Sequence, residues 1–345
     1  MDFCSVVDIF CGVGGLTHGF VKEGFRVLAG FDSDETCRYA FEKNNSAKFI
    51  KKDVKNLTGK EVNRLYGKDD LKILVGCAPC APFSKYTQGR SGDKWKLLRE
   101  FRRVILETLP DIISMENVPE LAKHKAFRRF VSALENAGYK VSHTIVFCPD
   151  WGVPQTRRRL VLLASRLGEI SLLRRKTHPK SRRRTVKLQI GEMPRLRAGQ
   201  THARDRLHSC RSLTPINLRR LKATPAGGSW ADWEDDLRLK CHKKSTGKTY
   251  RSIYGRMVWD DFAPTLTTHC TGIGNGRFGH PDQNRAISLR EAAMLQTFPR
   301  AYRFVEPRKP MHNKTLSRQI GNAVPVRLGR IIARSIRCHL EKVLQ

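Results

Sequence analysis

Roughly the first half of the chain alternates short apolar, β-branched segments with longer amphipathic ones, and this alternation limits the fold more than any other feature. The strand-like segments are SVVDIF, FRVLAGFD, KILVGCAP, DIISMEN, YKVSHTIVF and RRLVLLAS. Strands that alternate with helical segments form a mostly parallel sheet with helices on both faces. We therefore predict a Rossmann-like, doubly wound α/β fold with about seven strands over residues 1–165.

A glycine-rich turn follows the first predicted strand, in VVDIFCGVGGLTHGF. Gly12, Gly14 and Gly15 allow a ligand to approach the backbone closely where the strand ends and a helix begins. The same pattern occurs in dinucleotide-binding dehydrogenases and in plain tight turns. Asp32 follows about twenty residues later, where a carboxylate can accept hydrogen bonds from ribose hydroxyls. Together these features predict a site for a cofactor that contains a nucleoside.

Asp53 and Val54, which follow the segment KFIKK, can extend this site. The aspartate can accept a hydrogen bond from an adenine amino group, and the valine can present apolar surface to the ring. Alternatively, Asp53 is a solvated turn residue, as most aspartates are. The residue types alone leave both interpretations open.

A thiol follows the next predicted strand, in GCAPCAPFS at 76–84. Cys80 is expected at the same edge of the sheet as the glycine turn, held between Pro79 and Pro82. Cys77 and Cys80 also form a C-x-x-C pair, which suits a redox couple or half of a zinc site. The sequence has no second C-x-x-C to complete a zinc ribbon, so a nucleophile is the favoured interpretation.

Polar residues in two further segments complete the chemistry. Glu116 and Asn117 end an apolar strand in ISMENVPEL, where burial favours a protonated carboxyl that can donate a proton near neutral pH. Helix capping is the alternative. Arg157 and Arg159 in QTRRRL lie on one face of an extended segment because strand side chains alternate. A thiol, an acid and paired guanidinium groups suit nucleophilic addition to an electron-poor ring.

The chain carries a large excess of positive charge. Lys and Arg total 65 against 32 Asp and Glu, for a formal net charge of +33. Such a charge predicts a polyanionic partner, and nucleic acid fits best because no basic amphipathic helix with interleaved aromatics suggests a lipid surface. Much of the excess lies in the Arg-rich stretch 157–222, which is either a nucleic-acid contact or a solvated loop.

Changes in the sequence pattern divide the chain into four segments. Residues 1–165 form the predicted catalytic and cofactor-binding domain, and 166–285, with Arg clusters and Pro and Gly turns, form a separate module. Residues 286–313 are expected to be a hinge. The segment 314–345, a turn in SRQIGNAVP followed by an amphipathic helix, is expected to rejoin the first domain.

The cysteines indicate reduced thiols. Ten of them are scattered without a repeating spacing, and the N-terminus lacks a signal-peptide pattern, so we expect a soluble, cytoplasmic protein. No apolar run approaches the roughly 20 residues that a transmembrane helix needs. The irregular spacing of His208, Cys210, Cys241 and His242 favours packed side chains over a zinc site, so no metal is predicted.

In this order, the motifs resemble the cytosine-5 DNA methyltransferase family of bacterial restriction-modification systems. The matching blocks are DIFCGVGG, GCAPCAPFS, MENVPEL, QTRRR, the stretch from RSIYGRM to PTLTT, and QIGNAVP. They cover nearly the whole chain except the Arg-rich insert, which lies where the family has its target-recognition domain. The resemblance implies a methyltransferase fold, S-adenosylmethionine as cofactor and double-stranded DNA as partner. It also implies a monomer and leaves room for a companion restriction endonuclease.

The resemblance assigns roles to the predicted catalytic residues. In such enzymes a thiolate, here Cys80, adds to C6 of a flipped-out cytosine, and a glutamate, here Glu116, protonates or hydrogen-bonds N3. The methyl group goes to C5, and loss of the C5 proton then expels the thiolate. By the same similarity Arg159 contacts the cytosine O2, Arg157 orients the active-site loop, and Asn117 holds the backbone of the site.

The resemblance also implies a cofactor pocket formed by residues from both ends of the chain. The implied pocket residues are Phe10, Gly12, Gly14, Gly15, Leu16, Asp32, Asp53, Val54, Pro79, Asn322 and Val324.

The sequence departs from the family pattern at Ala81. Family members commonly have glutamine after the nucleophile, and its absence puts the loop's DNA contacts in doubt.

Three other functions compete with this interpretation. An RNA cytosine methyltransferase would share the scaffold, but the long recognition insert favours DNA. A DNA-binding relative without catalysis would not need the full set of chemical residues. A nicotinamide-dependent dehydrogenase would explain the glycine turn and Asp32 but not Cys80, Glu116 or Arg159.

Overall fold

The computed structural model describes residues 4–68, 71–79, 96–173, 183–244 and 251–345. Cys80, Ala81 and Pro82 lie outside these ranges. By their contacts, the residues divide into two compact units. The first comprises Met1–Trp151, Arg158–Thr177 and Ala323–Gln345, and the second comprises Gly152–Arg157 and His178–Asn322.

The first unit is built on one sheet, and it confirms the predicted fold class. Within the described residues the sheet has seven strands in the order β3-β2-β1-β4-β5-β7-β6. Neighbours run parallel from β3 to β5, whereas β7 is antiparallel to both β5 and β6. The strands are β1 Cys4–Ile9, β2 Arg26–Asp32, β3 Lys48–Lys51, β4 Leu71–Gly76, β5 Ile112–Asn117, β6 Lys140–Phe147 and β7 Arg158–Ser165.

Amphipathic helices cover this sheet. On one face, Phe101 and Phe130 stack with ring centroids 6.2 Å apart in a core that also includes Val7, Ile9 and Leu74. Burial of each such side chain contributes about 1.5–3 kcal/mol. No helix in the described ranges combines the length and apolarity needed to cross a bilayer. The helices are α1 Gly15–Lys22, α2 Arg38–Asn45, α3 Gly59–Asn63, α4 Lys96–Thr108, α5 Lys125–Asn136 and α10 Val326–Val343.

The C-terminal helix α10 packs against α1, next to the glycine turn. A Cβ added to Gly19 would lie 2.5 Å from the backbone carbon of Gly329, so the two helices meet backbone to backbone. Glu23 at the end of α1 accepts from Arg330 Nε at 2.7 Å and from Arg334 Nε at 2.8 Å. The end of the chain is thereby fixed to the first helix.

The second unit has short elements joined by irregular segments. Arg256 holds several of these segments together, because its buried guanidinium donates to the backbone carbonyls of Leu221, Thr224, His280 and Gln283. Arg285 and Glu291 form a fully buried ion pair. The elements are α6 Val186–Ile190, β8 Thr201–His202, β9 Asp205–Ser209, α7 Pro215–Lys222, α8 Leu289–Leu295 and α9 Asn313–Asn322.

One local prediction was wrong. The stretch SRQIGN, interpreted as part of a turn, is the second half of α9, and the helix ends just before Ala323. Leu316 and Ile320 are four residues apart and both buried, which is the spacing of one helix face. Glycine is required at position 321 because a Cβ there would clash with the carbonyl oxygen of Thr267.

Candidate active site

The carboxyl ends of four adjacent strands, β2, β1, β4 and β5, meet at one edge of the sheet. The glycine turn follows β1, Asp32 ends β2, Cys77 follows β4, and Glu116 lies near the end of β5. In open α/β sheets, ligands bind outside this edge. The topology therefore brings most of the sequence-predicted site residues of the first unit together.

The glycine turn is held open by left-handed backbone conformations. Gly12 and Gly14 have φ of 51° and 83°, and Phe10 has φ of 64°, which is unusual for a residue with a side chain. A Cβ on Gly12 would meet nothing within 4 Å, so open space lies in front of this part of the turn. Gly12 N–H donates to Asp32 Oδ2 at 2.9 Å, which holds the carboxylate against the turn.

The other predicted cofactor residues differ in exposure. Asp53 Oδ1 accepts from Lys55 N–H at 3.0 Å and caps a short turn of helix, and Val54 behind it is buried. Of the remaining predicted cofactor residues, three are buried: Gly15, Leu16 and Val324. Pro79 is exposed in the first unit, and Asn322 is exposed at the end of α9 in the second unit.

Glu116 contacts another of the predicted catalytic residues, Arg159. Its side chain is 3% exposed, and its Oε1 lies 2.8 Å from Arg159 Nε. Its Oε2 accepts from the thiol of Cys77 at 2.8 Å. Asn117 Nδ2 donates to the carbonyl of Ala78 at 3.1 Å and so ties the end of β5 to the segment that follows β4. The structure thus pairs the acid with one predicted arginine.

Arg157 is fully buried in the second unit. Its Nη2 donates to the carbonyls of Leu266 at 2.7 Å and Gly321 at 2.9 Å, and its Nε donates to Gln155 Oε1 at 2.7 Å. These contacts give it an anchoring function for two backbone segments of that unit. A role in orienting the active-site loop stays a prediction.

Asp8 is a buried acid at the site that was not singled out from the sequence. It lies in β1 two residues before Phe10 and accepts from Thr17 Oγ1 at 2.6 Å. Burial raises the pKa of its carboxyl from 3.8 to about 7, against the hydrogen bond from Thr17, and the charge of Asp32 adds to the rise. The only sequence signal was an acid inside an otherwise apolar strand.

We expect Asp8→Asn to change how stability depends on pH. Because burial raises the pKa of Asp8 in the folded state, ionising this carboxyl costs more in the folded than in the unfolded protein. The wild-type free energy of unfolding is therefore unaffected below about pH 4 and falls as pH rises to about 7. The variant should therefore gain stability relative to wild type over this window, by up to about 4 kcal/mol. Urea unfolding of both proteins from pH 4 to 8 measures the difference in the free energy of unfolding. A difference independent of pH would contradict the account.

Two of the four residues considered as zinc ligands, the histidines, have other contacts. His208 bonds to Ser288 Oγ and to the carbonyl of Pro194, both at 2.8 Å. His242 stacks on Trp230 with ring centroids 4.3 Å apart, while Cys210 is buried and Cys241 exposed. Among the described residues, no group of three or more His, Cys, Asp or Glu side chains could hold a metal ion.

Known proteins resemble this chain over almost its full length. It is 54% identical over 341 residues to the Type II methylase M.HgiDII of Herpetosiphon aurantiacus, covering 98% of this chain and 96% of the relative. It is 30% identical to the Type II methyltransferase M.XorII of Xanthomonas oryzae pv. oryzae, covering 97% and 85%.

The fold has solved counterparts as well. A putative DNA modification methyltransferase encoded within an E. coli prophage superimposes with a TM-score of 0.74 at 21% identity, covering 98% of this chain and 99% of that one. The family model for C-5 cytosine-specific DNA methylase matches residues 4–338. The chain therefore belongs to the C-5 cytosine-specific DNA methylase family and is a DNA (cytosine-5-)-methyltransferase.

Proposed function

We propose that the enzyme methylates C5 of cytosine within a specific double-stranded DNA sequence, through a covalent adduct between Cys80 and C6 of a flipped-out base. The observation that carries the proposal is the ion pair between buried Glu116 and half-buried Arg159, at the strand end beside the segment that leads to Cys80. An acid and a guanidinium at this place can bind the polar edge of a cytosine. M.HgiDII is a Type II methylase, and by this similarity the enzyme would serve a type II restriction-modification system. We also propose that it acts as a monomer, beside a companion restriction endonuclease.

The residues of the first unit fit S-adenosylmethionine as the cofactor. The open space in front of Gly12, with Asp32 held against the turn, suits a nucleoside whose ribose hydroxyls donate to the carboxylate. Phe10, Val54 and Val324 would supply apolar contacts. When bound, the cofactor supplies an electrophilic methyl group.

The chain's own groups would carry the remaining steps. The Cys80 thiolate forms a bond to C6, and electron density moves to C5 while Glu116 donates to N3 and Arg159 to O2. Once C5 has been methylated, a base from the solvent takes the C5 proton, the ring double bond is restored as the bond between Cys80 and C6 breaks, and Glu116 keeps or takes back the proton that it shared with N3. The thiolate is regenerated, and the base keeps the methyl group.

The proposal is tested by supplying the protein with S-adenosylmethionine labelled in the methyl group, together with duplex DNA and transfer RNA in separate reactions. The nucleic acids are digested to nucleosides and separated. We expect label in 5-methyldeoxycytidine from the duplex. Label confined to RNA, or to another base or ring position, would refute the proposal.

We propose that the second unit recognises the DNA target. It contains a groove of about 660 Å³ whose charged lining is Arg195, Arg197, Lys222 and Asp282, the last of which pairs with Arg195 at 3.5 Å; Gln200 and Asn284 also line it. Among the residues that the structure describes, no hydrogen bond or ion pair engages the side chains of Arg197 or Lys222, and both are exposed. Such cations are suited to phosphate contacts, while the amides can contact base edges.

Binding to DNA should therefore depend strongly on salt. We expect the affinity of the wild-type protein to fall by orders of magnitude between about 50 and 200 mM salt. Arg197→Ala and Lys222→Ala should each reduce the slope of log K against log salt by about 1. Fluorescence anisotropy with a labelled duplex measures the slope. The control is Lys243→Ala, which removes a charge that is paired with Asp235 outside the groove and should leave the slope unchanged. Equal slopes in the wild-type protein and all three variants would exclude the groove as a DNA-binding surface.

A further inference from the structure

We infer that Cys77 is a positioning residue for methyl transfer, acting through Glu116. The inference rests on the proposed function and adds a residue to it. Cys77 Sγ donates to Glu116 Oε2 at 2.8 Å, on the oxygen opposite the one that faces Arg159. The thiol thus supplies the hydrogen bond on Oε2, while Oε1 faces the Arg159 guanidinium in an ion pair, and the two contacts together favour one orientation of the carboxyl plane.

The backbone of Cys77 is fixed on both sides. Its N–H donates to the carbonyl of Ile9 in β1, and the next carbonyl, that of Ala78, accepts from Asn117. The parallel register between β4 and β5 pairs Gly76 with Met115, so the following residues, Cys77 and Glu116, are neighbours. The thiol is therefore held against the carboxyl group by the sheet itself.

A thiol suits this position beside a buried acid and a constrained arginine. Glu116 is nearly fully buried, and Arg159 is constrained because its Nη1 also donates to the carbonyl of Arg158 at 2.7 Å. A thiol is a neutral, weak donor. It can orient Oε2 without adding a second positive charge beside an acid that must hold a proton in the reaction.

The test compares Cys77→Ala, which removes the donor, with Cys77→Ser, which keeps one. We expect the alanine variant to lower kcat for duplex methylation about 10-fold, as the loss of one orienting hydrogen bond would, with KM for DNA and the Kd of S-adenosylmethionine unchanged. The serine variant should retain kcat within about threefold of wild type. Cys338→Ala, a partly exposed thiol in α10, is the control and should match wild type.

Each outcome has a distinct meaning. Melting temperatures show whether a variant is folded. When both variants are folded, the ratio of their kcat values reports the effect of the hydrogen bond to Glu116. Equal kcat in the wild-type and alanine proteins, or equal losses in alanine and serine, would overturn the inference. Wild-type protein without activity on DNA would instead overturn the proposed function, and the inference with it.

Discussion

Cys80→Ser is expected to abolish methyl transfer, lowering kcat by at least about 10³-fold. Serine keeps the size of the side chain, but its hydroxyl is almost never ionised near neutral pH and is a far weaker nucleophile than a thiolate. The assay is transfer of labelled methyl groups from S-adenosylmethionine to duplex DNA. Cys241→Ser, which changes an exposed thiol in the second unit, is the matched control and should retain wild-type activity.

A covalent trap separates a chemical role of Cys80 from a structural one. In DNA that contains 5-fluorocytosine, fluorine replaces the proton that must leave C5, so the adduct cannot decay by elimination. In the presence of S-adenosylmethionine, wild-type protein should form a complex with this DNA that survives denaturation, and Cys80→Ser should not, although both bind the duplex. A trap that persists in the serine variant would assign the nucleophile to another residue.

Arg285→Met should destabilise the protein by about 3–5 kcal/mol. Arg285 and Glu291 are both 0% exposed, and two hydrogen bonds of 2.8 Å join the guanidinium to the carboxylate. Burial acts to raise the pKa of Glu291, but the hydrogen bonds and charge of Arg285 hold it below its ordinary value. Removing the arginine leaves a buried acid without its main partner.

The free energy of unfolding, from urea titrations followed by circular dichroism, measures this loss. The matched control is Arg219→Met, which breaks a pair with Asp236 whose side chains are 65% and 56% exposed. That change should cost less than about 1 kcal/mol. If both variants lost less than about 1 kcal/mol of unfolding free energy, the buried pair would not be a major source of stability in the second unit.

The fold class could be predicted because the strands of the first unit are short, apolar and β-branched. RRLVLLAS and DIISMEN were placed within a residue of β7 and β5. The stretch SRQIGN was misassigned because glycine and asparagine are typical of turns. The glycine instead allows the helix to pack closely against the backbone of Thr267, about fifty residues away, and such a contact cannot be predicted from local sequence.

The sequence predicts most of the residues that form the candidate site, but not all of the contacts between them. Glu116 and Arg159 were expected near one another, and their ion pair is present. Cys77 was weighed only as half of a redox or zinc motif, because its contact with Glu116 arises from the register of β4 against β5. Asp8 was missed because its chemistry comes from burial against α1, which becomes visible only when the layers are packed.

Bisulfite sequencing of DNA from a host that expresses the enzyme tests the central claim most directly. Bisulfite converts unmodified cytosine and spares 5-methylcytosine, so it reports activity, the modified base and its sequence context together. We predict protection of one cytosine within a single recurring duplex sequence in cells with wild-type protein, and none in cells with Cys80→Ser. Complete conversion in the presence of folded wild-type protein, or equal protection by the serine variant, would contradict the claim.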